Sequence, residues 1–187
     1  MPKIFMLDGP AGSGRSTITP IILDHFGKRL KHFLRVTTRP RRADDTTYHY
    51  IDQIAFGRYL AKKEFAGHRT YGSGQSYGVR RTPIEEAVEQ GFHVYSLMDL
   101  GTFNMVRSCW PDCVIMLLIA PIDVLRKRLE SKGVLSEQDI QERLDNAVSA
   151  FTKAAHYDYV IPNRQGCLDK VSRHIISIME AEMRESD

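Results

Sequence analysis

Gly9-Pro10-Ala11-Gly12-Ser13-Gly14-Arg15-Ser16 has the spacing of a phosphate-binding loop: two glycines five positions apart, then a cation and a hydroxyl. Glycine lets the backbone wrap closely enough to turn its N–H groups toward phosphate oxygens. A helix starting at Ser16 would add the positive end of its dipole. The Ser16 hydroxyl stands where such a loop coordinates Mg²⁺, with Thr17 beside it. The cation is Arg15 where lysine is usual, and a planar fork is not a compact point charge. The alternative is a glycine turn that binds nothing. An apolar stretch before it and a helical pattern after it favour the phosphate loop.

A second group lies downstream. Arg39, Arg41, Arg42 and Tyr48 fall within ten residues. Guanidinium groups grip phosphate with paired, charge-assisted hydrogen bonds, and a tyrosine hydroxyl can donate to the same group. Seen alone, this segment would also suit a solvated basic loop. The histidines have no metal-ligand spacing, and Gly72-Ser73-Gly74 has no helix after it, so it reads as a mobile loop.

These groups need a scaffold. Residues 3–8 read as a buried strand, and about Ser16 to Gly27 as a helix with Pro20 near its start. One strand is expected near His32–Thr38, a helix near Gln53–Lys62 and another at Pro83–Gln90, closed by Gly91. His93–Met98, Val114–Ala120 and Tyr159–Ile161 read as strands. Ile122–Ser131, Glu137–Ala155 and Leu168–Met183 read as helices. Strands alternating with helices indicate an α/β fold with a parallel sheet. The length of 187 residues suits one domain. A net charge of +3 is too mild for a nucleic-acid protein and fits an anionic ligand. No apolar run reaches the ~18 residues of a membrane span, and the apolar N-terminal stretch is short for a signal peptide. Cys109, Cys113 and Cys167 read as ordinary thiols of a reducing compartment, so a cytoplasmic location is expected. Nothing in the sequence specifies an oligomeric state.

Beside the phosphate loop, Val36-Thr37-Thr38-Arg39-Pro40-Arg41 resembles the acceptor-phosphate segment of guanylate kinases. So do Tyr77-Gly78, Arg81, Ile84-Glu85-Glu86-Ala87, Gly91, Asp99, Arg107, Pro111-Asp112 and Ala120-Pro121. The likeness continues through Leu125 to Leu129, Gly133, Ile140, Arg143-Leu144 and Tyr157-Asp158-Tyr159-Val160-Ile161 before Asn163. It implies a P-loop NTPase three-layer fold with a small acceptor-binding insertion and a helical lid, in one domain. The core would be 1–34 and 82–187, the lid about 126–143 and the acceptor region about 35–81.

The resemblance implies an ATP-dependent kinase acting on a small phosphorylated acceptor, with GMP or dGMP the first expectation. Gly9, Ala11, Gly12, Ser13, Gly14, Arg15, Ser16 and Thr17 would hold the ATP phosphates. Arg39, Arg41 or Arg42, Tyr48 and Tyr77 would hold the acceptor phosphate, with Arg35 and Asp99 in the same site. Arg128, Lys132 and Arg143 in the lid would join Arg15 in neutralising the transferring group, and Ser16 and Asp99 would hold Mg²⁺. The chain departs from the family where guanine is read. Arg35 stands in place of a serine, Gly67 in place of a glutamate with only Glu64 close by, and Val79-Arg80 follow the Tyr-Gly pair. These departures keep three alternatives open: a ribose 1,5-bisphosphate phosphokinase, a kinase of another nucleotide, and a binding domain that no longer catalyses.

Overall fold

A computed structural model describes residues 1–41, 48–72, 74–98, 101–131, 133 and 135–185. Contacts divide the chain into two compact units, 1–6 with 28–114, and 7–27 with 115–187. The strand β1 (Ile4–Asp8) contributes residues to both, and all five of its residues are buried.

In the first unit, β2 (Leu30–Phe33) pairs in parallel with β7 (His93–Leu97), Leu30 opposite His93 and Phe33 opposite Ser96. The strand order here is β2-β7-β1. A separate four-stranded sheet has the order β4-β3-β6-β5. Its strands are β3 (Arg35–Thr37), β4 (Tyr48–Tyr50), β5 (Phe65–Thr70) and β6 (Ser76–Arg80). β3 runs parallel to β4 and antiparallel to β6, which is antiparallel to β5. Helix α2 (Gln53–Ala61) is capped by the Asp52 carboxylate, which accepts the Ala55 N–H at 2.6 Å. Its Phe56 stacks at 4.6 Å on Phe65, closing a small core with Val36. Phe65 also explains Gly78, where a Cβ would lie 2.5 Å from its ring. Helices α3 (Thr82–Glu89) and α4 (Phe103–Cys109) complete the unit.

The sequence reading is corrected in three places here. The expected strand at 32–38 is two strands in two different sheets, separated at the exposed Leu34. The polar stretch after Tyr48 holds β4, β5 and β6, and α4 was not foreseen. These strands are three to six residues long and mix Tyr, Gly, Ser and Arg, so no period-2 apolar signal marks them. Gly72 and Gly74 sit in the β5–β6 connection, a tight turn in which Tyr71 N–H donates to Gln75 O at 3.0 Å.

In the second unit the order is β1-β8-β9, with β8 (Val114–Ile119) parallel to β9 (Tyr159–Pro162). β8 is buried on both faces, as its unbroken apolar run requires. Helix α1 (Arg15–Phe26) keeps Pro20 inside it, and α7 (Leu168–Arg184) packs against α1. Helices α5 (Ile122–Glu130) and α6 (Glu137–Phe151) share a core of Leu125, Leu129, Ile140, Leu144 and Ala147. Burying each leucine of this kind contributes about 2 kcal/mol. A capping box between Ser136 and Asp139 starts α6. The helix stops at Phe151, short of the expected Ala155, and a 3-10 turn at Ala154–His156 leads to Asp158 beside β8. There Ile115 N–H donates to the Asp158 carboxylate and Asp158 N–H to Ile115 O. No helix among the described residues is long and apolar enough to cross a membrane. Cys109, Cys113 and Cys167 are free thiols.

Tyr159 donates to Glu182 on α7 at 2.7 Å, and this bond, helped by burial, pushes its hydroxyl pKa up to about 12. A folded-state pKa above the unfolded value gives stability that is full below about pH 10 and lost as pH rises toward 12. Tyr159→Phe is therefore expected to flatten the alkaline fall in stability over that window, read by urea unfolding at several pH values.

Candidate active site

In the second unit, β1 ends at Asp8 and the chain turns through the glycine loop into α1. Gly9, Gly12 and Gly14 all have positive φ, at 155°, 84° and 104°. Ser13 N–H donates to Pro10 O, closing the turn. Gly14 is the left-handed N-cap of α1, so the helix starts one residue earlier than expected, at Arg15. Ser16 and Thr17 are exposed in the first turn, Ser13 is buried, and Ala11 packs on the α5–α6 core.

Side chains from distant parts of the unit hold the loop. Asn163, buried after β9, donates its amide to Ser13 O at 2.7 Å. Arg128 on α5 donates to Gly12 O at 3.1 Å and to Asn163 O at 3.3 Å. The Asp8 carboxylate accepts the Gly9 N–H at 2.7 Å and the Tyr157 hydroxyl at 2.6 Å. Arg15 Nη1 lies 4.0 Å from the same carboxylate. Burial pushes the Tyr157 hydroxyl well above its ordinary pKa, and the Asp8 charge adds to this. Arg128 is thus brought to the loop. Arg143 is half-buried in the middle of α6, and Lys132 lies outside the described residues. Asp8, Tyr157 and Asn163 were not foreseen as site residues. The signals available were the position of Asp8 directly before the first glycine and the Tyr-Asp-Tyr…Asn pattern.

The profile of the protein family described as Guanylate kinase matches residues 1–182. The chain belongs to the guanylate kinase family. It is 30% identical over 183 residues to a guanylate kinase of Syntrophotalea carbinolica, spanning 96% of this chain and 85% of the relative. A guanylate kinase of Thermus thermophilus is 29% identical over 188 residues, 98% of this chain and 83% of the relative. The crystal structure of guanylate kinase from Anaplasma phagocytophilum superposes with a TM-score of 0.76 at 24% identity, covering 97% of this chain and 86% of that one. That likeness shows the fold expected from the sequence, an α/β P-loop architecture with a parallel sheet.

The first unit holds the arginines and tyrosines that resemble the guanylate kinase acceptor segment. Arg35 and Arg39 are buried, at 3% and 8% exposure. Arg35 donates to Met98 O at 3.2 Å and to the Tyr48 hydroxyl at 2.6 Å. Arg39 donates to the Tyr50 hydroxyl at 3.2 Å, and its backbone N–H is held by Thr37 Oγ1. The two guanidinium groups lie 4.6 and 5.5 Å from the Tyr48 ring centre. Tyr48 meets Tyr77 edge to face at 5.6 Å, and Tyr77 donates to Gln75. Arg41 is exposed and sits over Tyr50. Arg42 and Asp99 lie outside the described residues. Tyr50 was missed, although the spacing Tyr48-x-Tyr50 puts both rings on one face of β4. At Gly67 a Cβ would meet Val106 and Thr102 at 3.0 to 3.3 Å, so a side chain there would have to push these neighbours by a few tenths of an ångström, and Glu64 is engaged by Arg80 at 2.9 Å.

Asn163→Ala would remove the donor to Ser13 O and leave that carbonyl bare. It is expected to lower stability by about 1–2 kcal/mol, seen as a lower urea midpoint at unchanged m-value.

Proposed function

We propose that the protein transfers the terminal phosphoryl group of ATP to GMP or dGMP. The observation that carries this reading is the glycine loop itself: three positive-φ glycines at a strand-to-helix junction, pinned by Asn163 and Arg128. Such a loop aims backbone N–H groups and a helix dipole at an anion. Gly9, Ala11, Gly12, Ser13, Gly14, Arg15, Ser16 and Thr17 bind the ATP phosphates in this reading.

Mg²⁺ takes hard oxygen ligands and keeps water and phosphate around it. The exposed Ser16 hydroxyl in the first turn of α1 fits that chemistry, and the resemblance to guanylate kinases adds Asp99, which lies outside the described residues. The ion supplies charge neutralisation on the phosphates. Arg15, Arg128, Lys132 and Arg143 add to it from the protein. Phosphoryl transfer needs alignment and electrostatic stabilisation more than covalent help, which is what fixed guanidinium groups provide. Arg35, Arg39, Arg41, Arg42, Tyr48, Tyr77 and Asp99 hold the acceptor. The chain works as one domain with an acceptor region at about 35–81 and a lid at about 126–143, in the cytoplasm.

The test is a coupled ADP-release assay with Mg-ATP against GMP, dGMP, AMP, CMP, UMP, dTMP and ribose 1,5-bisphosphate. Turnover with GMP or dGMP supports the proposal. Turnover with ribose 1,5-bisphosphate alone would favour the second reading, which draws on the buried Arg35 and on the tight packing around Gly67 where the family has a glutamate. No turnover with any acceptor would favour a binding domain.

A further inference from the structure

The peptide joining Ser13 to Gly14 can face either of two ways, because glycine accepts φ of either sign at little cost. Gly14 stands at φ 104°. The peptides on both sides of it are fixed by the backbone. Ser13 N–H donates to Pro10 O at 3.1 Å, and Gly14 O accepts the Thr17 and Ile18 N–H groups at 3.1 and 3.0 Å. The 13–14 peptide is held by a side chain instead: Asn163 Nδ2 donates to Ser13 O at 2.7 Å. In a trans peptide the C=O and N–H point opposite ways, so this bond also turns the Gly14 N–H away from Asn163. Asn163 is itself well anchored. It is 3% exposed, its N–H donates to Ile119 O on β8 at 2.7 Å, and its carbonyl accepts Arg128 at 3.3 Å.

We infer that Asn163 is a positioning residue of the ATP-phosphate site: by holding Ser13 O it keeps the Gly14 N–H aimed at a phosphate oxygen. The inference rests on the phosphate-binding reading of the loop. A bond that only supported the fold could be removed without changing what the folded protein binds. This one selects between two orientations of a binding group. Without it the 13–14 peptide divides between them, and only one presents the Gly14 N–H to an anion. Aspartate at 163 would go further. It has the shape of asparagine, but as a carboxylate it only accepts hydrogen bonds. It would repel Ser13 O and accept the Gly14 N–H of the reversed peptide, which withdraws that donor from the ligand.

The experiment compares wild type, Asn163→Ala and Asn163→Asp. ADP affinity is read by calorimetry well below the melting point, so that only folded protein is measured, and the KM for GMP in the coupled assay. Asn163→Ala is expected to weaken ADP binding roughly 10-fold and Asn163→Asp on the order of 100-fold, with the KM for GMP unchanged in both. The alanine variant adds no charge, so its loss is not repulsion of the phosphates. N163A binding ADP as tightly as wild type, or N163D binding it no more weakly than N163A, would overturn the inference. A second reading needs no variant to fold. In the wild type the Gly14 amide proton is expected to move downfield in NMR spectra when ADP is added, and an unmoved Gly14 signal with ADP bound would equally overturn the inference. Wild type that binds no ADP sinks the phosphate-loop reading and this inference with it. Wild type that binds ADP but phosphorylates no GMP sinks only the proposed activity, and the ADP series still decides the role of Asn163.

Discussion

Gly9→Ala is expected to lower stability by about 3 kcal/mol and to remove activity, because the new methyl group has nowhere to go. A Cβ at this position would lie 2.4 Å from Leu118 O and 2.7 Å from Ser13 Oγ. The first obstacle is backbone of β8, buried and paired with β9 at Leu118–Ile161, so it cannot step aside. Relief has to come from the loop, whose geometry the proposed phosphate binding depends on. For a chain of this size the loss corresponds to a melting point lower by roughly 6–12 °C, measurable by calorimetry. Gly91→Ala is the control. Gly91 also has a positive φ, 85°, but nothing lies within 4 Å of its Cβ position. Only backbone strain remains there, on the order of 1 kcal/mol. Equal losses at the two positions would refute the steric account of Gly9.

Arg39→Ala is expected to lower kcat/KM for GMP by about 10² to 10³-fold while leaving the KM for ATP near its wild-type value. Arg39 is buried, donates to Tyr50, and has its backbone clamped by Thr37. A guanidinium held this way loses little freedom when it meets a phosphate, which is where its advantage over a mobile cation comes from. Arg39→Lys should recover little, since lysine cannot make the paired contact. Arg41→Ala is expected to cost less, about 10-fold, because Arg41 is exposed and sits over the Tyr50 ring. A loss in the ATP KM equal to that for GMP would remove Arg39 from the acceptor site.

Both residues could be picked from the sequence, but for different reasons. Gly9 belongs to a local motif whose spacing is its signature, so eight consecutive residues were enough to find it. Arg39 needed the longer resemblance, since a cluster of arginines has no period of its own. The residues that hold the two in place were harder to see. Asn163 and Tyr157 are about 150 residues from the loop they support. A hydrogen bond between a side chain and a remote carbonyl leaves no spacing to read. The small sheet was missed for a related reason. Its strands are stabilised by pairing with one another and by Phe56 and Phe65 beneath them, and each strand alone is too short and too polar to show a pattern.

The sequence by itself determined the alternation of strands and helices, the glycine loop between β1 and α1, and the arginine-rich segment that resembles the acceptor segment of guanylate kinases. All three are encoded in stretches short enough for periodicity, glycine spacing and charge to be legible locally. Only the tertiary structure decided that Arg15 faces a buried Asp8, that Arg128 grips the loop, that Arg35 is sealed against Tyr48, and that Gly67 is packed tightly against Val106 and Thr102. Each of these depends on burial and on contacts between residues far apart in the chain, which exist only once the strands have paired and the helices have packed.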